Sequence, residues 1–196
     1  WPVRGHEVAD LDYDPPAWFG REAPLIVEIG SGMGETTAAL AAAEPDVDHL
    51  AVEVFEPGIA ALLMRATDLT NLVVLRGDAV TLLTEKVPEA SLAGIRIFFP
   101  DPWPKRRHHK RRLVQPAFVA LAASRLRPGG TLHMATDWAD YADQMRAVAD
   151  AEPLLLGGET PRPAWRPVTK FEARALAEGR DVHDFVYGRP PCDHEG

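Results

Sequence analysis

Cysteine is almost missing from this chain: Cys192 is the single one among 196 residues. That excludes an internal disulfide framework and a cysteine-rich zinc site, and a reducing compartment is expected. Long apolar runs are missing as well. Stretches such as 25–29 fall far short of the ~20 residues that cross a bilayer, so a soluble, cytoplasmic protein with no membrane partner is expected. Residues 1–20 mix Asp, Pro, His and aromatics with none of the apolar core of a signal peptide. The first residue is Trp1 rather than Met, so an upstream portion is expected. Basic residues are in deficit, 21 against 29 acidic for a net charge of −8, which argues against a generic nucleic-acid coat. Neither internal repeats nor low-complexity segments occur.

What is present fits one ordinary domain. The 46% hydrophobic and 26% charged residues are globular values, enough to bury a core. Charge is unevenly spread. Residues 105–112 read Lys-Arg-Arg-His-His-Lys-Arg-Arg, and without these six cations the remaining 15 basic and 29 acidic residues leave −14. A positive spot on a negative body can still hold an anion, because local potential acts at contact distance.

Residues 1–24 show no sustained period and read as an irregular arm. Short apolar runs predict strands over 25–29, 49–55, 71–75, 95–99 and 131–135, with a possible last strand over 183–187. Helices are expected over 35–43, 57–68, 80–86, 115–126 and 138–150, several of them closed by proline. Arg127-Pro128-Gly129-Gly130 reads as a turn, and four prolines interrupt the tail between 153 and 167. Strands alternating with helices predict a parallel sheet covered on both faces. Such sheets bind ligands at the carboxyl ends of their strands.

Glu28-Ile29-Gly30-Ser31-Gly32-Met33-Gly34 closes the first of these strands and opens a helix. Glycines let the backbone turn tightly and approach a ligand closely. The spacing differs from the G-x-G-x-x-G of dinucleotide sites, and a carboxylate two residues before the first glycine suits a cation better than a pyrophosphate. S-adenosylmethionine carries an ammonium and a sulfonium. Glu53, at the end of the second strand, can accept two ribose hydroxyls. Asp78, after the third, can accept from an adenine amino group. Each acid alone also reads as a solvated strand end or a helix cap. Three at successive strand ends, with the glycine loop at the first, favour a site.

The fourth strand runs into Phe99-Pro100-Asp101-Pro102-Trp103-Pro104. Three prolines stiffen this loop, and an aromatic beside Arg and Lys can stack on a base while they hold phosphates. A solvated face is the plain reading of such a run, but its position beside the cofactor edge favours RNA. His108 and His109 point apart with no carboxylate cluster around them, so no metal is expected.

The stretches 28–34, 98–112 (Phe-Phe-Pro-Asp-Pro-Trp-Pro-Lys-Arg-Arg-His-His-Lys-Arg-Arg) and Thr169-Lys170-Phe171-Glu172 resemble the signature of the bacterial tRNA (guanine-N7-)-methyltransferase family, within a similarity extending from about 25 to 189. The resemblance implies an α/β, Rossmann-like class I methyltransferase fold. That means a mostly parallel seven-stranded sheet with helices on both faces, in one domain over 25–196 after the arm at 1–24. It implies S-adenosylmethionine as cofactor and tRNA as substrate, methylated at the variable-loop guanine of position 46. Glu28, Glu53, Asp78 and Asp101 would contact the cofactor beside Gly30, Gly32 and Gly34, with Asp101 also catalytic. Lys105, Asp137, Thr169 and Glu172 would contact substrate. Arg107, His108, His109, Lys110, Arg111 and Arg112 would touch tRNA.

Guanine N7 carries a lone pair and no proton, so no general base is required and alignment is the enzyme's main task. Asp101 is therefore read as an orienter, accepting from the guanine N1 and amino hydrogens. Asp137 and Glu172 can offset the positive charge that methylation leaves on the purine. Asp137 also reads as the N-cap of the helix at 138, and Thr169 with Glu172 as a capping box for 170–177. Three other readings remain: a methyltransferase of another substrate, a nicotinamide-dependent oxidoreductase, and a non-catalytic RNA-binding module. Monomer and homodimer are equally compatible with the sequence.

Overall fold

The short apolar runs bounded by glycine or proline become the inner strands of one sheet, and the alanine-rich segments between them become its covering helices. The computed structural model describes residues 4–191, with side chains from Glu7 onward; Cys192 lies outside the described residues. In chain order the elements are β1 (Arg4–Glu7), α1 (Pro15–Phe19), β2 (Leu25–Ile29), α2 (Glu35–Ala43), β3 (Asp48–Glu53), α3 (Glu56–Arg65) and β4 (Leu72–Arg76). A single turn, α4 (Ala79–Thr81), continues into a π-helical turn over Leu82–Lys86. Then come β5 (Leu92–Phe98), a 3₁₀ helix over Arg106–Arg111, α5 (Pro116–Arg125), β6 (Leu126–Thr136), α6 (Ala139–Asp150), β7 (Leu156–Thr160), α7 (Lys170–Ala177) and β8 (His183–Gly188).

The strands order as β1-β4-β3-β2-β5-β6-β8-β7. Every pair from β1 to β6 is parallel, and β8 runs antiparallel to both of its neighbours. Val27, Leu50, Val73, Ile95 and Leu132 are completely buried, each contributing about 1.5–3 kcal/mol of apolar transfer. The connection order reverses between β2 and β5. Crevices form at such a switch point, and it is here that the glycine loop and the Asp101 loop emerge side by side.

Three local expectations are corrected. The arm is not irregular throughout: β1 pairs with β4 as an eighth strand beside the seven expected, and Val8, Leu11 and Trp18 join the main core. Its four residues, Arg-Gly-His-Glu, carry no apolar alternation, so only the pairing reveals the strand. Residues 127–130 do not end the ladder but are extruded from it. Leu92 faces Leu126 and Gly94 faces Thr131, which leaves Arg127–Gly130 opposite Ala93 alone, while the Gly129 N–H and Gly130 carbonyl bond to Arg189 on the other side. The proline-broken tail contributes β7, paired to β8.

Candidate active site

Glu28 is the penultimate residue of β2 and is 5% exposed. Its Oε1 accepts from the Thr37 hydroxyl at 2.8 Å, while Oε2 is buried without a hydrogen-bond partner. Burial pushes the carboxyl up to about 7, against the pull of the Thr37 bond and of Arg96. A buried acceptor with an open lone pair is expensive unless a donor arrives, and an ammonium group would supply both charge and donors. The residues present therefore fit the amino-acid end of S-adenosylmethionine.

The glycine loop follows at once. Gly30, Gly32 and Gly34 all have positive φ, at 79°, 54° and 75°. A Cβ on Gly34 would lie 2.5 Å from that of Leu62, and one on Gly58 would lie 2.2 Å from the Gly32 carbonyl oxygen. The first turn of α3 is thus packed directly under the loop. From the neighbouring strand end, Glu53 accepts from the Gly32 N–H at 2.7 Å through Oε2 and from Val54 and Phe55 through Oε1. Glu53 fixes the loop as well as facing it. Asp78 is exposed and caps α4, accepting from the Thr81 N–H at 2.8 Å; its reading as a helix cap holds.

A cleft of about 610 Å³ brings Gly30, Gly32, Glu53, Asp78, Asp101 and Trp103 together, with Arg111 at its wall. Its size suits a small-molecule site. A smaller adjoining recess is lined by Glu28, Gly34, Thr169, Lys170 and Phe171, and Phe98 and Phe99 line both. Phe99 stacks on Phe171 at 6.3 Å. Asp101 is exposed, presented by a loop in which Phe99 and Trp103 take positive φ of 52° and 45°. Left-handed backbone at non-glycine residues costs about 1 kcal/mol each and concentrates at functional sites.

The basic segment forms the 3₁₀ helix. Arg111 lies over the Trp103 ring at 5.0 Å, and His108 meets that ring edge-on at 5.9 Å. Lys105, Arg106, Arg107, Lys110 and Arg111 are all exposed. Arg112 is not, and its expected contact with tRNA is corrected. Its side chain is 1% exposed and ion-paired to Asp140 at 2.9 Å. It also donates to the Pro102 carbonyl and to Gln144, and it lies over Tyr141 at 4.6 Å. His109 is drawn to the same Asp140 at 3.4 Å.

The remaining substrate candidates separate. Asp137 does not cap α6, since that cap carries no side-chain bond; it pairs with Arg180 at 3.0 Å and lines a different depression with Trp138 and His183. Thr169 caps α7 by accepting from the Glu172 N–H at 3.0 Å. The reciprocal half of the capping box is not made: the Glu172 carboxylate is buried and turned to Arg166 at 2.7 Å. Among the described residues no group of three His, Cys, Asp or Glu is placed to hold a metal ion, and no helix is long and apolar enough to cross a membrane.

The family model described as "Putative methyltransferase" matches residues 22–185. A tRNA (guanine-N(7)-)-methyltransferase of Nocardia farcinica is 52% identical over 96% of this chain and 76% of its own length. This chain belongs to that family. A second member, from Aromatoleum aromaticum, is 55% identical over 94% of this chain and 72% of its own length. Among solved structures, the antibiotic-resistance methyltransferase Kmr superposes with a TM-score of 0.60 over 92% of this chain and 94% of its own, at 15% identity. An rRNA methylase from Streptococcus thermophilus gives 0.57 over 86% and 87%, at 13% identity. At those identities the likeness is one of fold, and the fold is the Rossmann-like class I methyltransferase fold.

Within this tRNA (guanine-N7-)-methyltransferase family member, sequence reasoning missed three features of the site. Gly58 gave no signal, because its role depends on a loop 26 positions earlier. Phe98, Phe99 and Phe171 lie in the signature stretches 98–112 and 169–172, but their meeting between the recess and the cleft carries no signal in either stretch. Arg166 was passed over as one cation in a proline-rich tail.

Proposed function

We propose that this chain transfers the methyl group of S-adenosylmethionine to N7 of the variable-loop guanine, position 46, of tRNA. The observation that carries the reading is the shared cleft: the glycine loop, Glu53 and Asp78 form one wall, and Asp101 with the Trp103–Arg111 stack forms the other. A nucleotide-like cofactor and an RNA base would meet there. Such a substrate implies work in the cytoplasm.

S-adenosylmethionine supplies an electrophilic methyl on its sulfonium. Glu28 would hold the ammonium with its open Oε2, Glu53 the ribose hydroxyls through the remaining lone pairs of its carboxylate, and Asp78 the adenine amino group. Asp101 accepts from the guanine N1 and amino hydrogens and so turns N7 toward the methyl. No residue needs to remove a proton, because N7 bears none. Asp137 and Lys105 extend the substrate surface, and the four exposed cations of the 3₁₀ helix, Arg106, Arg107, Lys110 and Arg111, hold phosphates. Thr169 and Glu172 act from within the α7 start, placing Lys170 and Phe171 at the recess.

The experiment is transfer of labelled methyl to unmodified tRNA, followed by chain cleavage at 7-methylguanosine. Label with cleavage in the variable loop supports the reading; label elsewhere moves the target; no label with cofactor bound rejects tRNA as substrate. Asp101→Ala should lower single-turnover transfer at least a hundredfold while tRNA affinity changes less than threefold. Equal losses in both would remove the orienting role.

A further inference from the structure

Arg166 is the largest fully buried side chain among the described residues, with 0% exposure. Its guanidinium donates to both oxygens of Asp184 in β8, at 2.8 and 2.7 Å. The remaining nitrogen donates to Glu172 in α7 at 2.7 Å. Arg162 approaches the same Glu172 at 3.3 Å and donates to the Arg166 carbonyl. Asp184 is shared with His133 of β6 at 2.7 Å. Burial lowers the pKa of His133 against the pull of Asp184, so two carboxylates face two guanidiniums and a neutral imidazole. The charge is balanced, as a buried cluster requires.

The position of this cluster is what matters. The Arg166 guanidinium also lies over Phe98 at 5.6 Å and Phe99 at 5.8 Å, which with Phe171 are the aromatics common to both halves of the site. On its other side Glu172 is fixed within the first turn of α7, whose cap is Thr169. The Thr169–Phe171 stretch walls the recess that contains Glu28, although some 140 residues separate the two in sequence. A planar fork holding two carboxylates at once sets one geometry where a point charge would not.

We infer that Arg166 is a positioning residue for methyl transfer, clamping Glu172 to Asp184 beneath Phe98 and Phe99 so that Thr169, Lys170 and Phe171 stand against the cofactor recess. The inference deepens the methyltransferase reading and rests on it for the reaction. It does not rest on it for the order of the α7 start, which is a property of the free chain.

Arg166→Lys tests it, since lysine keeps the charge but serves one carboxylate at a time. Tyr187→Phe is the control. It removes a part-buried bond to Asp150 at 2.6 Å at the far end of β8 and is compared at matched distance below each variant's Tm. Arg166→Lys should speed amide exchange at residues 170–173 at least tenfold in the cofactor-free chain. It should weaken S-adenosylmethionine binding at least tenfold by equilibrium dialysis and lower the single-turnover rate at saturating cofactor and tRNA tenfold or more, with tRNA affinity within twofold. Wild-type exchange and cofactor affinity in Arg166→Lys overturn the clamp; so does the same loss in Tyr187→Phe, which would make the effect one of general stability. If the wild-type chain methylates no tRNA, the functional reading falls, while the exchange measurement still decides the clamp.

Discussion

Glu28 shows how one side chain can trade stability for binding. In the free folded chain burial holds its carboxyl near 7, raised from 4.5. Folding therefore takes up a proton between those two values. The stability this proton confers is complete below about pH 4.5 and is lost as pH rises to about 7, a loss of about 3 kcal/mol. Glu28→Gln keeps an acceptor for Thr37 and has nothing to ionise. Urea unfolding across pH 4–8 should show the variant gaining on the wild type through that window, ending up to about 3 kcal/mol more stable, with parallel curves counting against the argument. Cofactor binding should behave oppositely. An ammonium needs the carboxylate, so wild-type affinity should drop roughly tenfold per pH unit below 7, and Glu28→Gln should bind weakly at every pH. At this scale the sequence is legible where a residue's place is set by its strand: Glu28, Glu53 and Asp101 lie where a parallel sheet puts its ligands. Arg112 and Arg166 are illegible. Nothing local separates Arg112 from its five exposed neighbours, or Arg166 from Arg162; only Asp140 and Asp184, 28 and 18 positions away, make them structural.

Elements are legible when their periodicity is self-sufficient. The buried runs of β2 to β6 announce themselves because both faces are covered, whereas β1 and the Leu-Gly-Gly-Glu-Thr of β7 lie at the edges, where pairing rather than pattern decides. Contacts between elements are where the reading stops, and two of them are testable. Gly58 in α3 touches the glycine loop so closely that a methyl group would collide with the Gly32 carbonyl at 2.2 Å. Gly58→Ala must move either α3 or the loop, a strain of about 1–3 kcal/mol. Isothermal titration should find S-adenosylmethionine affinity down at least tenfold although residue 58 lies outside the cleft; unchanged affinity would mean that α3 yields and the loop does not. The second contact is Arg112, which ties the 3₁₀ helix and the Pro102 carbonyl to α6. Arg112→Ala should lower stability by about 2 kcal/mol in thermal or urea unfolding, because Asp140 is half exposed and can rehydrate. It should also slow methyl transfer by releasing the Asp101 loop.

At the scale of the molecule, a net charge of −8 must coexist with an RNA substrate. Average charge predicts weak, repulsive association; the distribution predicts something narrower. Five exposed cations, Arg106, Arg107, Lys110 and Arg111 in one short helix and Lys105 at its N-cap, lie beside Trp103, and the acidic remainder discourages binding in any other orientation. Few phosphates can then be neutralised at once. A plot of log affinity for tRNA against log salt should have a slope no steeper than about −4.5, given nearly one counterion released per contact. Arg111→Ala should flatten that slope by about one and weaken binding by more than a lone phosphate contact would, since the stack on Trp103 goes with it. Arg112→Ala should leave the slope where it was, because its guanidinium neutralises Asp140 and meets no phosphate. Filter binding between 50 and 300 mM salt, done on the same tRNA for all three proteins, separates the cases. Should Arg112→Ala flatten the slope as Arg111→Ala does, the 3₁₀ helix must turn to present all six cations when RNA binds, and the Asp140 pair would be a latch rather than an anchor.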